Sequence, residues 1–308
     1  MNENKGTPGK LVSVVIPAYN YAKTLERAAE SVIGQLDESS ELIIIDDGSK
    51  DETPEVMQRL AERHPGKFIG IRKENGGLAS VRNRGIAEGR GDYLIFLDAD
   101  DEMAPGALAA IRQHIERNPD TRLVIGGSEA IYPNGRRRTR VPPALPSRPV
   151  DRVRAYLIDQ TLNISNGACV MHRDVFQRGL YPSHFRNVED IPVFAQVLAS
   201  YPCTTLSQSL AYIYKHEDSL RHNLDYGLQV GEKLIAEVFD TQRLPESMQV
   251  LRRPFIVKRY LTLFRTFSRA GEKEKAWEFY RQAVKADWRA LFSWSYTRKA
   301  LKLWVLGR

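Results

Sequence analysis

Tyr93-Leu94-Ile95-Phe96-Leu97-Asp98-Ala99-Asp100-Asp101 is the stretch that decides the fold. Five apolar residues in a row, bounded by polar sequence, read as a short strand buried on both faces. Three carboxylates follow at its end. The same arrangement recurs upstream. Leu11 to Ile16 is a β-branched run stopped by Pro17, and Glu41 to Ile45 is a second run, ending in Asp46-Asp47-Gly48-Ser49. Phe68 to Arg72 is a third. Helical spacing fills the intervals. Thr24 to Leu36 places Leu25, Ala28, Ala29, Val32 and Ile33 on one stripe, Thr53 to Arg63 carries Pro54 near its first turn, and Leu78 to Glu88 follows an Asn-Gly-Gly turn.

Strands alternating with helices make βαβ units and an α/β fold with a mostly parallel central sheet. Ligands of such sheets bind beyond the carboxyl ends of the strands. Pro17-Ala18-Tyr19-Asn20, Asp46-Asp47-Gly48-Ser49 and Asp98-Ala99-Asp100-Asp101 all stand at that end, so they are expected to converge on one cleft.

Beyond Glu102 the pattern changes. Ala107 to Arg117 reads as a helix, Leu123 to Gly127 and Glu129 to Tyr132 as two strand pieces, and the proline- and arginine-rich stretch 133–150 as a loop. Asp190 to Ser200 is a helix, and Leu210 to Lys215 a strand returning to the sheet. From about Tyr226 the chain reads as helices, with Gly271 as a turn between two of them.

The composition is that of a soluble globular protein: 308 residues, 42% hydrophobic and 27% charged. Cys169 and Cys203 offer no metal framework and read as reduced thiols. The first ten residues lack an apolar signal core, and no stretch approaches the roughly 18 apolar residues of a membrane span. A cytoplasmic location is expected. The net charge of +7 is uneven, because residues 252–308 hold 15 Lys or Arg against 4 Asp or Glu. That basic tail carries Trp288, Phe292, Trp294, Tyr296 and Trp304, which suits either peripheral contact with an anionic membrane at its inner face or a helical subdomain packed on the catalytic domain with Lys and Arg facing water. Nucleic acid is not the expected partner, since the tail contains no recognised binding module.

Each polar cluster is ambiguous alone. Three adjacent carboxylates suit a hard divalent cation that completes its shell with water and phosphate oxygens, but they can also cap a following helix. Asp46-Asp47-Gly48-Ser49 can accept from a base or ribose, or simply form a turn. Asn75-Gly76-Gly77 before a helix offers backbone N–H groups to phosphate, and Arg82 a guanidinium fork one turn on.

In their order along the chain these clusters resemble the family 2 glycosyltransferases, over roughly residues 11 to 220. The resemblance implies a Rossmann-like GT-A catalytic domain at 1–225, with a donor-binding half at 11–101 and an acceptor half at 102–225. A basic helical region at 226–308 would follow. It implies inverting transfer from a nucleotide-diphosphate sugar, usually a UDP sugar, aided by Mn2+ or Mg2+. The expected acceptor is a hydroxyl of a glycan or lipid-linked molecule in cell-envelope polysaccharide or lipopolysaccharide synthesis. By the same resemblance Pro17, Tyr19 and Asp47 match nucleoside-binding positions, and Arg82 the diphosphate side. Asp98 matches a donor-contacting carboxylate, and Asp100 the metal-binding Asp of a DxD motif. Gly167 lies in a segment that matches the neighbourhood of the donor sugar. Asp190 matches the base that deprotonates the acceptor, with Glu189 as its alternative, and His216 matches a position near the diphosphate, on the metal or a phosphate. A catalytically inactive copy used for binding or scaffolding is the rival, and the filling of every expected polar position argues against it.

Overall fold

The computed structural model describes residues 11–215 and 231–306. Strands β1 (Val12–Ala18), β2 (Ser40–Asp46), β3 (Ile69–Arg72) and β4 (Tyr93–Phe96) lie parallel in the order β3-β2-β1-β4. Val12 stands opposite Ser40 on one side and Tyr93 on the other, and Ala18 opposite Asp46. Strand ends in this register bring the polar clusters to one edge.

Every residue of β1 and β2 is buried, so both faces need cover. Helices α1 (Leu25–Ile33) and α2 (Thr53–Arg63) pack on the face of Val14, Ile16, Leu42 and Ile44, while α3 (Leu78–Glu88) packs on that of Val15, Ile43 and Ile45. Each such apolar side chain contributes about 1.5–3 kcal/mol on burial. The strands are therefore held far more firmly than the loops they end in. Next come β5 (Glu102–Met103) and α4 (Ala107–Arg117).

The second half adds β6 (Leu123–Ile131), β7 (Arg137–Arg140), β8 (Cys169–His172) and β9 (Cys203–Tyr214). Antiparallel β8 enters between β4 and β6, β9 runs parallel to β6, and β5 closes the far edge antiparallel to β9. The expected parallel order thus holds in the first half and gives way to mixed order in the second, as the chain reverses into β8. The two strand pieces expected around 123–132 are one strand. Their apparent break is a register shift against β9 at Gly126, Gly127 and Ser128. A Cβ on Gly127 would stand 2.7 Å from the Ser207 carbonyl, which is why glycine sits at this irregularity. The stretch 133–150 is not all loop, since β7 pairs with β6 from within it. Its four residues, Arg-Arg-Thr-Arg, are all exposed and show no apolar alternation; charge of this kind protects an edge strand.

Helix α5 (Pro149–Arg154) runs into a single π turn at Ala155–Asp159, and α6 (Asp190–Ser200) packs beside it. Helices α7 (Gly231–Val238), α8 (Arg252–Arg269), α9 (Lys273–Ala286) and α10 (Trp294–Leu306) complete the described chain. Leu234, Val238, Phe239 and Phe255 belong to the same core as β4 and α6, so this core continues across position 225. A separate cluster with Leu261, Phe264, Phe267, Phe279 and Tyr280 joins α8, α9 and α10. Gly271, at φ 81°, makes the turn between α8 and α9.

Candidate active site

The first two clusters are stitched together by hydrogen bonds. Asn20 takes a left-handed conformation, φ 60°, in which its N–H donates to Ser49 Oγ at 2.9 Å and its Oδ1 accepts from the Lys50 N–H at 2.9 Å. The Tyr21 N–H donates to Thr53 Oγ1. Pro17 is buried within β1, whereas the Tyr19 ring is 40% exposed beside it. Asp46 makes the turn, accepting from the Ser49 N–H at 2.9 Å.

Asp47 holds the glycine loop. Its carboxylate accepts from the N–H groups of Gly76 at 3.0 Å and Gly77 at 2.8 Å, and Lys73 Nζ lies 2.6 Å away. Asn75 Nδ2 donates to the Asp47 carbonyl. The backbone donors that the sequence offers to phosphate are therefore already satisfied by a carboxylate of the chain itself. Gly48 permits this closeness: at φ 72°, a Cβ there would meet the Asn75 nitrogen at 3.0 Å.

The acidic run caps no helix. It leads into β5, and α4 begins later at a Gly106 cap without a side-chain bond. Asp98 is 41% exposed at its side chain. Arg27 of α1 donates from Nη2 to the Asp100 carbonyl at 2.7 Å, forms an ion pair with Glu102 at 3.0 Å and stacks over the Tyr214 ring. Asp101 turns inward and accepts from the Tyr214 N–H at 2.9 Å. Burial first, then the charges of Asp98 and Asp100, push its carboxyl up to about 8. Tyr21 faces the same acids, and burial followed by Asp100, Asp98 and Asp101 pushes its phenol well up.

This crowding of negative charge is the local condition that a divalent cation relieves. Among the described residues no three His, Cys, Asp or Glu side chains form a complete metal cage. A hard ion held by one or two carboxylates, with diphosphate and water in the remaining positions, fits such a set.

Arg82 joins the two halves. Its guanidinium, only 3% exposed, donates from Nη1 to Glu189 Oε1 at 2.8 Å, approaches Asp98 Oδ1 to 3.5 Å and lies 5.3 Å from the centre of the Tyr181 ring. Burial opposes its charge, but Asp98, Tyr181, Glu189 and Asp190 outweigh it and raise its pKa. The adjoining Asn83 exchanges two hydrogen bonds with the Tyr181 backbone, and Tyr181 OH donates to Asn166 Oδ1. Gly167 is thereby fixed next to this network. A Cβ on it would find only ordinary contacts, 3.5 Å from Leu97, so glycine is not sterically required.

Glu189 is 3% exposed and committed to Arg82, with its other oxygen buried and without a hydrogen-bond partner. It precedes α6 but makes no capping bond. Asp190 is less buried and opens the helix, where a carboxylate is favoured by the helix dipole. Arg82→Ala should lower stability by about 3–5 kcal/mol, because it strands a buried carboxylate. Calorimetric unfolding checks this, and a loss below about 1 kcal/mol would mean that the pair is better solvated than its burial indicates.

His216 lies outside the described residues. The sequence reading missed Lys73, Arg27 and Tyr21. Lys73 was within reach, as a cation two residues before the glycine turn. Arg27 carried no signal, since its importance comes from where α1 docks.

Residues 13–180 match Glycosyl transferase family 2. The uncharacterized glycosyltransferase EpsJ of Bacillus subtilis (strain 168) is 27% identical over 233 residues, covering 73% of this chain and 66% of that protein. About a third of that relative therefore lies outside the match. Among solved structures, S. aureus TarS 1–349 in complex with UDP-GlcNAc superposes with a TM-score of 0.66 at 16% identity, over 95% of this chain and 89% of that one. The mannosyltransferase PcManGT from Pyrobaculum calidifontis, in complex with GDP-Man and Mn2+, gives 0.55 at 18% identity, over 96% and 86%. At such identities the likeness is one of fold.

Proposed function

The chain belongs to glycosyl transferase family 2, and we propose that it is an inverting enzyme using a nucleotide-diphosphate sugar, UDP above other nucleotides. The acceptor is a hydroxyl of a glycan or lipid-linked molecule of the cell envelope. One observation carries this reading. The Arg82–Glu189 pair ties the acidic strand end of the donor half to the start of α6, so Asp98 and Asp190 belong to one site.

In this reading the nucleoside lies against Pro17 and the exposed Tyr19 ring, on a wall that Asp47 holds in place through the glycine loop. Asp98 faces the donor. Arg82 acts on the diphosphate side through the field of its buried charge and through Asp98, rather than by direct contact. Asp100 would hold Mn2+ or Mg2+, which would supply Lewis-acid stabilisation of charge on the diphosphate. Asp190 accepts the proton of the acceptor hydroxyl, whose oxygen bonds to C1 of the sugar. The bond from C1 to the diphosphate oxygen breaks, and its electron pair leaves with the nucleoside diphosphate. One carboxylate acting opposite the leaving group gives inversion in one step. The complexes of TarS with UDP-GlcNAc and of PcManGT with GDP-Man and Mn2+ support the donor class and the metal.

A panel of UDP and GDP sugars with Mn2+, read by released nucleotide, tests this. Release from at least one UDP sugar, stopped by EDTA, is expected. No release from any donor, together with no nucleotide binding, would refute it.

We place the membrane contact at the end of the tail. Trp288, Phe292 and Trp294 are 58%, 74% and 69% exposed, and Arg289, Arg298 and Lys299 accompany them. No helix among the described residues is long and apolar enough to cross a membrane, so the contact is along its surface. Changing the three aromatics to Ser should weaken sedimentation with phosphatidylglycerol vesicles at least about tenfold, since each ring buries about 1.5–3 kcal/mol of apolar surface. Unchanged sedimentation would leave the tail a packing role alone.

A further inference from the structure

A cavity of about 390 Å³ opens beside the helix that carries Asp190, between the π turn and α8. Tyr156, Gln160, Asn163, Ile191, Lys258 and Arg259 are among the residues that line it. Ile191 follows Asp190 directly, and Tyr156 meets Phe194 of the same helix edge-on, with ring centres 5.9 Å apart. The cavity is therefore one residue from the base.

Its lining is unusual in charge. Arg259 Nε is buried and has no hydrogen-bond partner. Among the described residues no carboxylate forms an ion pair with Lys258 or Arg259, and burial depresses both cations. Asp159 favours the charge of Lys258 electrostatically, and the charge of Arg265 opposes it. Two cations turned into a part-buried cavity without a close counter-ion cost stability, unless an anion visits. The backbone is distorted at the same place. Gln160 has φ 55°, a left-handed conformation that non-glycine residues rarely adopt, directly after the π turn. Such turns and outliers gather at functional sites.

We propose that this cavity is the acceptor subsite and that it takes a phosphate group of the acceptor, held by Arg259 and Lys258 close to the hydroxyl that Asp190 deprotonates. The proposal rests on Asp190 as the base. An uncharged glycan would leave the charge of these cations unneutralised, whereas a phosphate matches both the charge and the fork of donors. Gln160 and Asn163 offer amide donors to the remaining oxygens. The phosphate belongs either to a lipid that anchors the acceptor or to a water-soluble phosphorylated chain.

The test is a calorimetric titration of sn-glycerol 3-phosphate into the full chain already saturated with UDP and Mn2+, so that the donor's own phosphate site is filled. Glycerol phosphate should bind the native chain, and neutral glycerol should not. The double variant Lys258→Gln, Arg259→Gln should weaken binding about tenfold or more, as the loss of charge-assisted bonds implies, and Arg259→Lys should retain most of it. UDP affinity reports that each variant is folded. No binding to the native chain, equal binding to the double variant, or equal binding of glycerol would overturn the proposal. A chain that fails to bind UDP would count against the donor reading instead, a result separate from the phosphate titration. Vesicles of phosphatidic acid supply the second arm. Competition between vesicles and glycerol phosphate, lost in the double variant, assigns the phosphate to a lipid; no competition assigns it to a soluble acceptor.

Discussion

Asp190→Asn should lower sugar transfer by about 10²–10⁴-fold, the usual share of a general base, while leaving UDP affinity close to the native value. Asparagine keeps the size of the side chain and a place at the start of α6, but it cannot take a proton. The neighbouring acid offers no substitute. Glu189 is 3% exposed and its Oε1 is engaged by Arg82 at 2.8 Å, so using it as a base would mean breaking a buried ion pair. Glu189→Gln should therefore show mainly as lost stability, through the altered partner of Arg82. Steady-state transfer rates together with UDP titrations separate the cases. An active Asp190→Asn beside a folded, donor-binding but inactive Glu189→Gln would exchange the two roles.

Asp100→Ala should remove metal dependence and reduce turnover by about 10³-fold or more, since a Lewis acid on the leaving diphosphate supplies several kcal/mol. Its fold should survive. Arg27 holds the Asp100 carbonyl, which the substitution keeps, and Asp101 anchors the loop separately through the Tyr214 N–H. A melting temperature close to the native one would confirm that the loss is chemical. Full turnover with unchanged response to EDTA would remove Asp100 from the metal's coordination.

The strand ends were legible because buried parallel strands advertise themselves as apolar runs, and each is followed at once by polar residues. Tyr93 to Leu97 gave both the strand and the position of its acids. The second half was harder. β8 is a short run between Asn166 and Arg173 without alternation, and β7 is all exposed charge and threonine, so neither shows the pattern of a half-buried strand. The helix-cap alternative for the acidic run could be decided only in the fold, because capping is a matter of hydrogen bonds and the segment has suitable residue types. Asp47 illustrates the same limit. Its type and place suggested a ligand contact, and only the fold brings Lys73, Gly76 and Gly77 round to it. Arg82 and Glu189 are 107 residues apart, and no local spacing could pair them.

The proposed site at the ends of β1, β2 and β4 takes a nucleotide diphosphate together with a divalent metal. Calorimetric titration of UDP into the chain, first with Mn2+ and then with EDTA, tests it most directly. Saturable one-to-one binding in Mn2+ is expected, weakened about tenfold or more in EDTA, at least about 1.4 kcal/mol. UDP binding that is absent in both conditions would contradict it.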